Sequence, residues 1–114
     1  MKFQTETIED ILVLRIEGDL IGQDSGPALM ELLNDKIESG LTSCAVNISG
    51  VRYMNSSGLG VLMTILTKFR NAEGEVALAG PSESVQKLLI ITKLNSIFTI
   101  KPDERQAVDY LKSL

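Results

Sequence analysis

Apolar residues recur along the chain with two different periods, and the two periods alternate. Short runs rich in β-branched and aliphatic residues predict five strands, at 2–7, 10–17, 42–49, 75–80 and 96–100. The first run alternates loosely and suits an edge strand, whereas the second is almost continuously apolar and suits a central one. Because these two runs are separated by only a short turn, they predict an opening hairpin.

Four other stretches carry apolar residues three or four positions apart, which is the spacing of one helix face. The four apolar stripes are Leu29, Leu32, Leu33 and Ile37; Leu59, Leu62, Met63, Leu66 and Phe69; Val85, Leu88 and Leu89; and Ala107, Tyr110, Leu111 and Leu114. Residues that favour helix starts precede three of these stripes. They are Asp24 with Ser25, the turn at 80–82, and Asp103 with Gln106 as a capping box.

The predicted element order is ββαβαβαβα. Strands joined through helices become parallel neighbours, and the opening hairpin adds one antiparallel pair. We therefore expect an α/β fold, with a mixed β-sheet and helices packed on it. A length of 114 residues suits a single domain over 1–114. The segments 18–27 and 50–55 carry no clear period and are expected to be connections.

Charge and composition exclude several classes of function. The formal net charge is −4 and the pI about 4.8, which disfavours nucleic acid or an acidic membrane as a partner. The chain has no histidine, which excludes a histidine-based triad, and its single cysteine, Cys44, excludes a disulfide framework and favours a cytoplasmic location. No run is long enough to cross a membrane, and the first ten residues lack a signal-peptide core. We expect no cofactor.

The stretch MNSSGLGVLM, residues 54–63, places two serines and two glycines directly before a dense apolar run. One interpretation of this pattern is purely structural. Ser56 or Ser57 caps the helix by accepting a backbone N–H, while Gly58 and Gly60 let the helix start pack tightly against the sheet. Helix starts of this kind are common and require no further function.

The second interpretation makes the same helix start a switch. A helix N-terminus carries a partial positive charge and free N–H donors, so it tolerates a phosphate. A phosphoserine adds about −1.5 to −2 charges, which a partner docked over the turn would have to desolvate. Since a loss of about 1.4 kcal/mol weakens binding tenfold, such a serine would control binding without a large change of shape.

These residues also carry a family resemblance. The segment VNISGVRY (46–53), followed by MNSSGLGVLM, resembles the signature of STAS domains, and particularly of bacterial anti-sigma factor antagonists. The GDL at 18–20, the Gly80-Pro81 turn and the C-terminal helix fall in matching order, so the resemblance covers nearly the whole chain. It implies the STAS fold, which is a mixed sheet with packed helices.

For function, the resemblance implies a protein-binding switch and not an enzyme. In that family the unphosphorylated antagonist binds an anti-sigma factor that is also a serine kinase, which releases the sigma factor. The kinase uses ATP and magnesium to phosphorylate the first serine of the signature, and a phosphatase resets it. By position the acceptor is Ser56, and Asn55, Ser57, Gly58 and Leu59 complete the motif. The resemblance also suggests that the free protein is a monomer.

The chain departs from the family pattern at three positions. Asn55 and Asn47 stand where the family usually has aspartates, and Ile21 stands where phosphorylated antagonists often have another. Less negative charge beside Ser56 eases the addition of a phosphate. Equally, a kinase that relies on that carboxylate would no longer recognise the site. The departures therefore bear on phosphorylation and leave the expected fold unchanged.

Further candidates for partner contact lie on either side of the serines. Tyr53 and Met54 either anchor the turn in the core or meet a partner. The second helix is apolar nearly all round, so core packing explains most of its residues, and Met63 and Val61 remain candidates for an interface.

Two other functions fit the same segment at 55–58, which we call the serine turn. STAS domains also serve as constitutive scaffolding partners, for example of transporter ATPases or in signalling assemblies, and Asn47, Asn55 and Ile21 favour that role. An enzyme is the other class, with Ser56 or Ser57 as a nucleophile. It lacks a histidine base, and the spacing is not Gly-x-Ser-x-Gly.

Overall fold

The computed structural model describes residues 2–21 and 26–114. Its strands are β1 Lys2–Ile8, β2 Ile11–Leu20, β3 Ser43–Met54, β4 Glu75–Ala79 and β5 Thr99–Lys101. Its helices are α1 Gly26–Glu38, α2 Ser56–Asn71, α3 Glu83–Ile91 and α4 Glu104–Lys112, with a short 3-10 helix at Leu94–Ser96. The predicted element order, ββαβαβαβα, is confirmed.

The five strands form one sheet in the order β1-β2-β3-β4-β5. β1 and β2 pair antiparallel, as the predicted hairpin requires, and the other neighbours pair in parallel. The mixed sheet of an α/β fold is therefore confirmed. Because the order of strands follows the chain, β3 lies at the centre of the sheet and carries the serine turn at its end.

Helices cover both faces of the sheet. Side chains of α1, α2 and α3 share a large core cluster with one face of the strands, and those of α4 share a smaller cluster with the other. In β2, Leu12 and Leu14 belong to the larger cluster, whereas Ile11 and Val13 belong to the smaller. Burial on both faces explains why this strand is almost continuously apolar. None of the helices in the described part of the chain could span a bilayer.

The two central strands are longer than predicted. β2 continues to Leu20 and β3 continues to Met54, and these two residues pair at the end of the ladder. The expectation that 18–27 and 50–55 are connections is therefore wrong for 18–20 and for 50–54. Both extensions lie beyond the end of β4, whose pairing with β3 stops at Asn47.

Two bulges in β3 explain why its extension is hard to see in the sequence. Opposite Arg15 to Leu20 of β2, β3 has two extra residues, and the register of the pair therefore shifts twice. At each shift two neighbouring residues of β3 are exposed, first Ser49 with Gly50 and then Arg52 with Tyr53. The alternation that marks a strand is thus broken where β3 leads into the serine turn.

The structure also corrects the C-terminal part of the prediction. The strand expected at 96–100 starts later, as β5, because the 3-10 helix occupies the first of these residues. Leu114 lies beyond the end of α4 and is 70% exposed, so it does not belong to the apolar stripe of that helix. Val108 is buried there together with the predicted Ala107 and Leu111, and the predicted Tyr110 is partly buried.

Helix capping at the later helices follows the sequence. The Asp103 carboxylate accepts a hydrogen bond of 2.8 Å from the Gln106 backbone N–H, and the Ser82 hydroxyl caps α3. The predicted caps Asp24 and Ser25 lie outside the residues that the structure describes.

Candidate functional site

The start of α2 is capped by Asn55, the residue before the two serines. Its side-chain oxygen accepts a hydrogen bond of 2.8 Å from the Gly58 backbone N–H, and its backbone is extended. The interpretation that Ser56 or Ser57 is the cap is therefore wrong. Both serines are instead the first two residues of the helix, and both are exposed.

Close packing against β2 explains one of the two glycines. A β-carbon on Gly58 would lie 1.9 Å from the carbonyl oxygen of Leu20, a distance that no side chain tolerates. The Asn55 backbone N–H also donates to that carbonyl oxygen, at 3.4 Å. Gly60, by contrast, is exposed, and a β-carbon there would meet nothing within 4 Å in the described part of the chain. The expected close packing thus holds for Gly58 and is wrong for Gly60.

The residues proposed for partner contact divide into a buried and an exposed group. Met54, Leu59 and Val61 belong to the core and are at most 9% exposed. They anchor the serine turn in the core and are not available for contact with a partner. Tyr53 is 56% exposed, and Met63 is partly buried against the core. Of the flanking candidates, Tyr53 is the one whose side chain is freely available on the surface.

The start of α2 carries no negatively charged side chain of its own. In the strands below, Asp19 of β2 accepts hydrogen bonds from the Arg52 guanidinium of β3, at 3.2 and 3.3 Å. This contact raises the pKa of Arg52 above its usual value. The partial positive charge of the helix start is therefore not offset by a carboxylate within α2 itself.

The asparagine at 47, the second departure from the family pattern, takes part in a different set of contacts. Its side-chain amide donates to the Glu104 carboxylate of α4 at 3.1 Å, and its oxygen accepts the Ser49 backbone N–H at 3.0 Å. Arg15 holds the same carboxylate through two hydrogen bonds of 2.8 and 2.9 Å. These contacts lower the pKa of Glu104, Arg15 being the largest cause. Asn47 thus serves the attachment of α4, on the face of the sheet opposite α2.

A surface groove beside the serine turn is not evident from the sequence. It lies between the end of β3 and α3, holds about 250 Å³, and is lined in part by Tyr53, Leu88 and Ile91. Ile91 is 76% exposed and Ile90 56%, which is unusual for aliphatic residues in a helix. The apolar run at the end of α3 was the available signal, because a helix packed on a sheet buries only one of its faces.

Comparison with known proteins identifies the fold family. The sequence model of the family described as STAS domain matches residues 2–107 of this chain. The chain belongs to the STAS domain family. The resemblance inferred from the serine turn is thus confirmed, and the STAS fold accounts for the mixed sheet and its four packed helices.

Several relatives of this STAS domain are anti-sigma factor antagonists. The anti-sigma-B factor antagonist of Staphylococcus epidermidis is 27% identical over 100 residues, which cover 88% of this chain and 92% of that protein. An anti-sigma factor antagonist from Mycobacterium paratuberculosis has a similar structure, with a TM-score of 0.81 at 18% identity, covering 97% of this chain and 93% of the other.

The fold is also that of the antagonist SpoIIAA, whose structure is known in two states. The unphosphorylated form has a TM-score of 0.76 at 21% identity, covering 99% of this chain and all of the other. The phosphorylated Bacillus form has a TM-score of 0.72 at 22% identity, covering 96% and 98% of the two chains. At these identities the likeness establishes the fold that the two states share with this STAS domain.

Proposed function

We propose that this STAS domain is an anti-sigma factor antagonist whose binding is switched by phosphorylation of Ser56. The observation that carries the proposal is the position of the Ser56 side chain, exposed as the first residue of a capped helix, within the family signature. In its unphosphorylated form the protein binds an anti-sigma factor that is also a serine kinase. The kinase then transfers a phosphoryl group from ATP, with magnesium, to the Ser56 hydroxyl, and a phosphatase removes it.

The local structure suits a phosphate at Ser56. The first intrahelical hydrogen bond of α2 is donated by Leu59 to the Asn55 carbonyl at 3.0 Å, so the backbone N–H groups of Ser56 and Ser57 precede the helical ladder. Such N–H groups and the helix dipole favour an anion. Because Asn55 caps the helix with an uncharged amide, no carboxylate on the neighbouring residue opposes the phosphate.

The same phosphate would remove the partner. A protein that covers Ser56 in its unphosphorylated form would have to desolvate about −1.5 to −2 charges after phosphorylation. Since the helix start tolerates the anion, the free domain stays folded. The switch therefore acts through the contact surface, with no rearrangement of the fold.

A constitutive scaffold is the alternative function. It is favoured by Asn55 and Asn47, which are uncharged where the antagonists that this chain resembles carry aspartates. In that case Ser56 remains unmodified, and the domain stays bound to one partner, such as a transporter ATPase, under all conditions.

The decisive experiment combines phosphorylation and binding. Each anti-sigma factor kinase encoded in the source genome is purified and incubated with the protein, ATP and magnesium, and the modified residue is located by mass spectrometry. We expect phosphate on Ser56 and none in Ser56→Ala, while the matched variant Ser57→Ala is still modified. Ser56→Asp should bind the kinase at least about tenfold more weakly than the unmodified protein. Equal affinity of Ser56→Ala and Ser56→Asp for the kinase would exclude the switch.

A further inference from the structure

The extension of β3 has one edge without a strand beside it. β3 pairs with β4 as far as Asn47, opposite Ala79. From residue 48 to Met54, β3 pairs with no strand other than β2 within the described residues. The Ser49 backbone N–H is bonded to the side-chain oxygen of Asn47, so the open part of this edge lies beyond Ser49. In a strand, alternate backbone N–H and C=O groups point to the two sides, so part of those in this extension point away from β2. An extended peptide segment can form hydrogen bonds with these backbone groups and add a strand to the edge.

This edge borders an elongated depression along α3. A cavity of about 640 Å³, open to solvent, is lined by Ser49, Gly50, Val51, Arg52, Ser82, Glu83, Ser84 and Lys87. It shares Ser84 and Lys87 with the smaller groove beside Tyr53. We call the two together the β3–α3 groove. Its wall on one side is the open edge of β3, and its wall on the other is one face of α3 along the whole length of that helix.

The end of the groove nearest the serine turn is apolar. Tyr53 and Ile91 are 56% and 76% exposed there, and Leu88 is half-buried, above the buried side chains of Met54 and Val85. Exposed isoleucine and tyrosine side chains on facing elements form a site for an apolar side chain of a partner. The charges along the groove are balanced, because Arg52 pairs with Asp19 and Lys87 with Glu83.

We propose that the β3–α3 groove binds a short extended segment of the anti-sigma factor, which pairs with the edge of β3 and inserts an apolar side chain between Tyr53 and Ile91. This inference rests on the function proposed for Ser56. The bulges of β3 limit regular pairing to a few residues, so the occupant is a short segment and not the edge of another sheet. The groove ends at Met54, directly before Asn55 and Ser56, and its occupant therefore continues onto the serine turn.

The location of the groove explains how one phosphate can release a partner that pairs with β3 and inserts an apolar side chain beside Tyr53. The wall charges are already paired within the protein, so they attract no particular charge on the occupant. A phosphate on Ser56 would place about −1.5 to −2 charges beside the apolar end of the groove. An occupant seated beside Tyr53 would then have to desolvate that charge.

Hydrogen–deuterium exchange and affinity together test this inference, with the purified anti-sigma factor kinase of the source genome as the probe. Binding should slow amide exchange in residues 49–54. Ile91→Ser and Tyr53→Ser should each weaken binding about tenfold or more. Leu114→Ser, which also removes an exposed apolar side chain but lies beyond α4, should bind as the unaltered protein does. Since all three side chains are exposed, circular dichroism should show unchanged folding.

The possible failures are distinguishable. If Ser56→Asp abolishes binding while Ile91→Ser binds fully and residues 49–54 exchange as before, the groove inference is overturned and the switch remains. If no kinase binds the unmodified protein, the proposed function itself fails. Protection of residues 49–54 that rises with the concentration of the protein alone would assign the groove to a second copy of this chain, which also overturns the inference.

Discussion

Gly58 lies so close to Leu20 that a β-carbon on Gly58 would stand 1.9 Å from the Leu20 carbonyl oxygen. The end of β2 and the start of α2 are thereby held in direct contact, and this contact positions the two serines. The glycine is required for space, since nothing in its backbone conformation demands it. The requirement concerns this residue and not Gly60, which faces open space.

The two glycines therefore provide a matched pair of variants. We expect Gly58→Ala to lower the free energy of unfolding by about 2 kcal/mol or more, because α2 or β2 must move to relieve the clash. Gly60→Ala should leave it unchanged or raise it by up to about 1 kcal/mol, since alanine favours a helix interior. Urea denaturation followed by circular dichroism measures both. A Gly58→Ala variant as stable as Gly60→Ala would contradict the packing described.

Two substitutions separate the capping role of Asn55 from the effect of charge at this position. Asn55→Ala removes the cap and should cost about 1 kcal/mol of stability. Asn55→Asp keeps a capping oxygen and adds a charge that favours the helix start, so the unphosphorylated variant should be as stable as the original or more so by about 0.3–1 kcal/mol.

After phosphorylation of Ser56 the order should reverse, because the new carboxylate then stands next to the phosphate. Thermal unfolding of the protein with phosphoserine incorporated at position 56 is the measurement. The phosphorylated Asn55→Asp variant should melt below the phosphorylated original. An equal or higher melting temperature would show that the residue at 55 does not influence the phosphate.

Asn47 is expected to resist replacement by the aspartate that the family favours. In Asn47→Asp a second carboxylate would face Glu104 and the hydrogen bond of 3.1 Å would be lost. We expect a cost of about 1–2 kcal/mol at neutral pH, with the difference from the original shrinking as acid neutralises one carboxylate. The double variant Asn47→Asp with Glu104→Gln should recover most of the loss. If the double variant were destabilised as much as Asn47→Asp alone, repulsion between the two carboxylates would not be the cause.

The Arg15–Glu104 contact also predicts part of the acid sensitivity. The pKa of Glu104 is lowered from its ordinary value of 4.5, mainly by Arg15. A carboxylate whose folded-state pKa is depressed stabilises the protein above the unfolded-state pKa, and this stability is lost as pH falls through the folded-state value. Between about pH 6 and pH 3, Glu104→Gln should therefore lose less stability than the original protein. The free energy of unfolding of both proteins is measured by urea denaturation at each pH. An equal loss in the two proteins between these pH values would contradict the prediction.

Periodicity was sufficient for the order of elements, because each helix and most strands bury a continuous apolar face. The identity of the cap was ambiguous, since Asn55, Ser56 and Ser57 all carry oxygens that can accept a backbone N–H. The contact between Arg15 and Glu104 joins residues 89 positions apart and leaves no local signal. The serine turn itself was recognisable because its residues are consecutive, whereas the β3–α3 groove combines elements separated in sequence.

The two bulges of β3 also have a consequence of parity. The side chains that β3 sends into the larger core cluster are Cys44, Val46, Ile48, Val51 and Met54, so the spacing changes from two to three at each bulge. Each bulge adds one residue and keeps the next core side chain on the same face, as Val51 shows after the first bulge and Met54 after the second. Loss of the extra residue at either bulge would restore the spacing of two and leave Met54 in the core. Loss of one residue between Cys44 and Ile48, where the strand is regular, would instead turn the side chains on one side of the deletion to the opposite face. The length of this strand can therefore change in single steps, but only at its bulges.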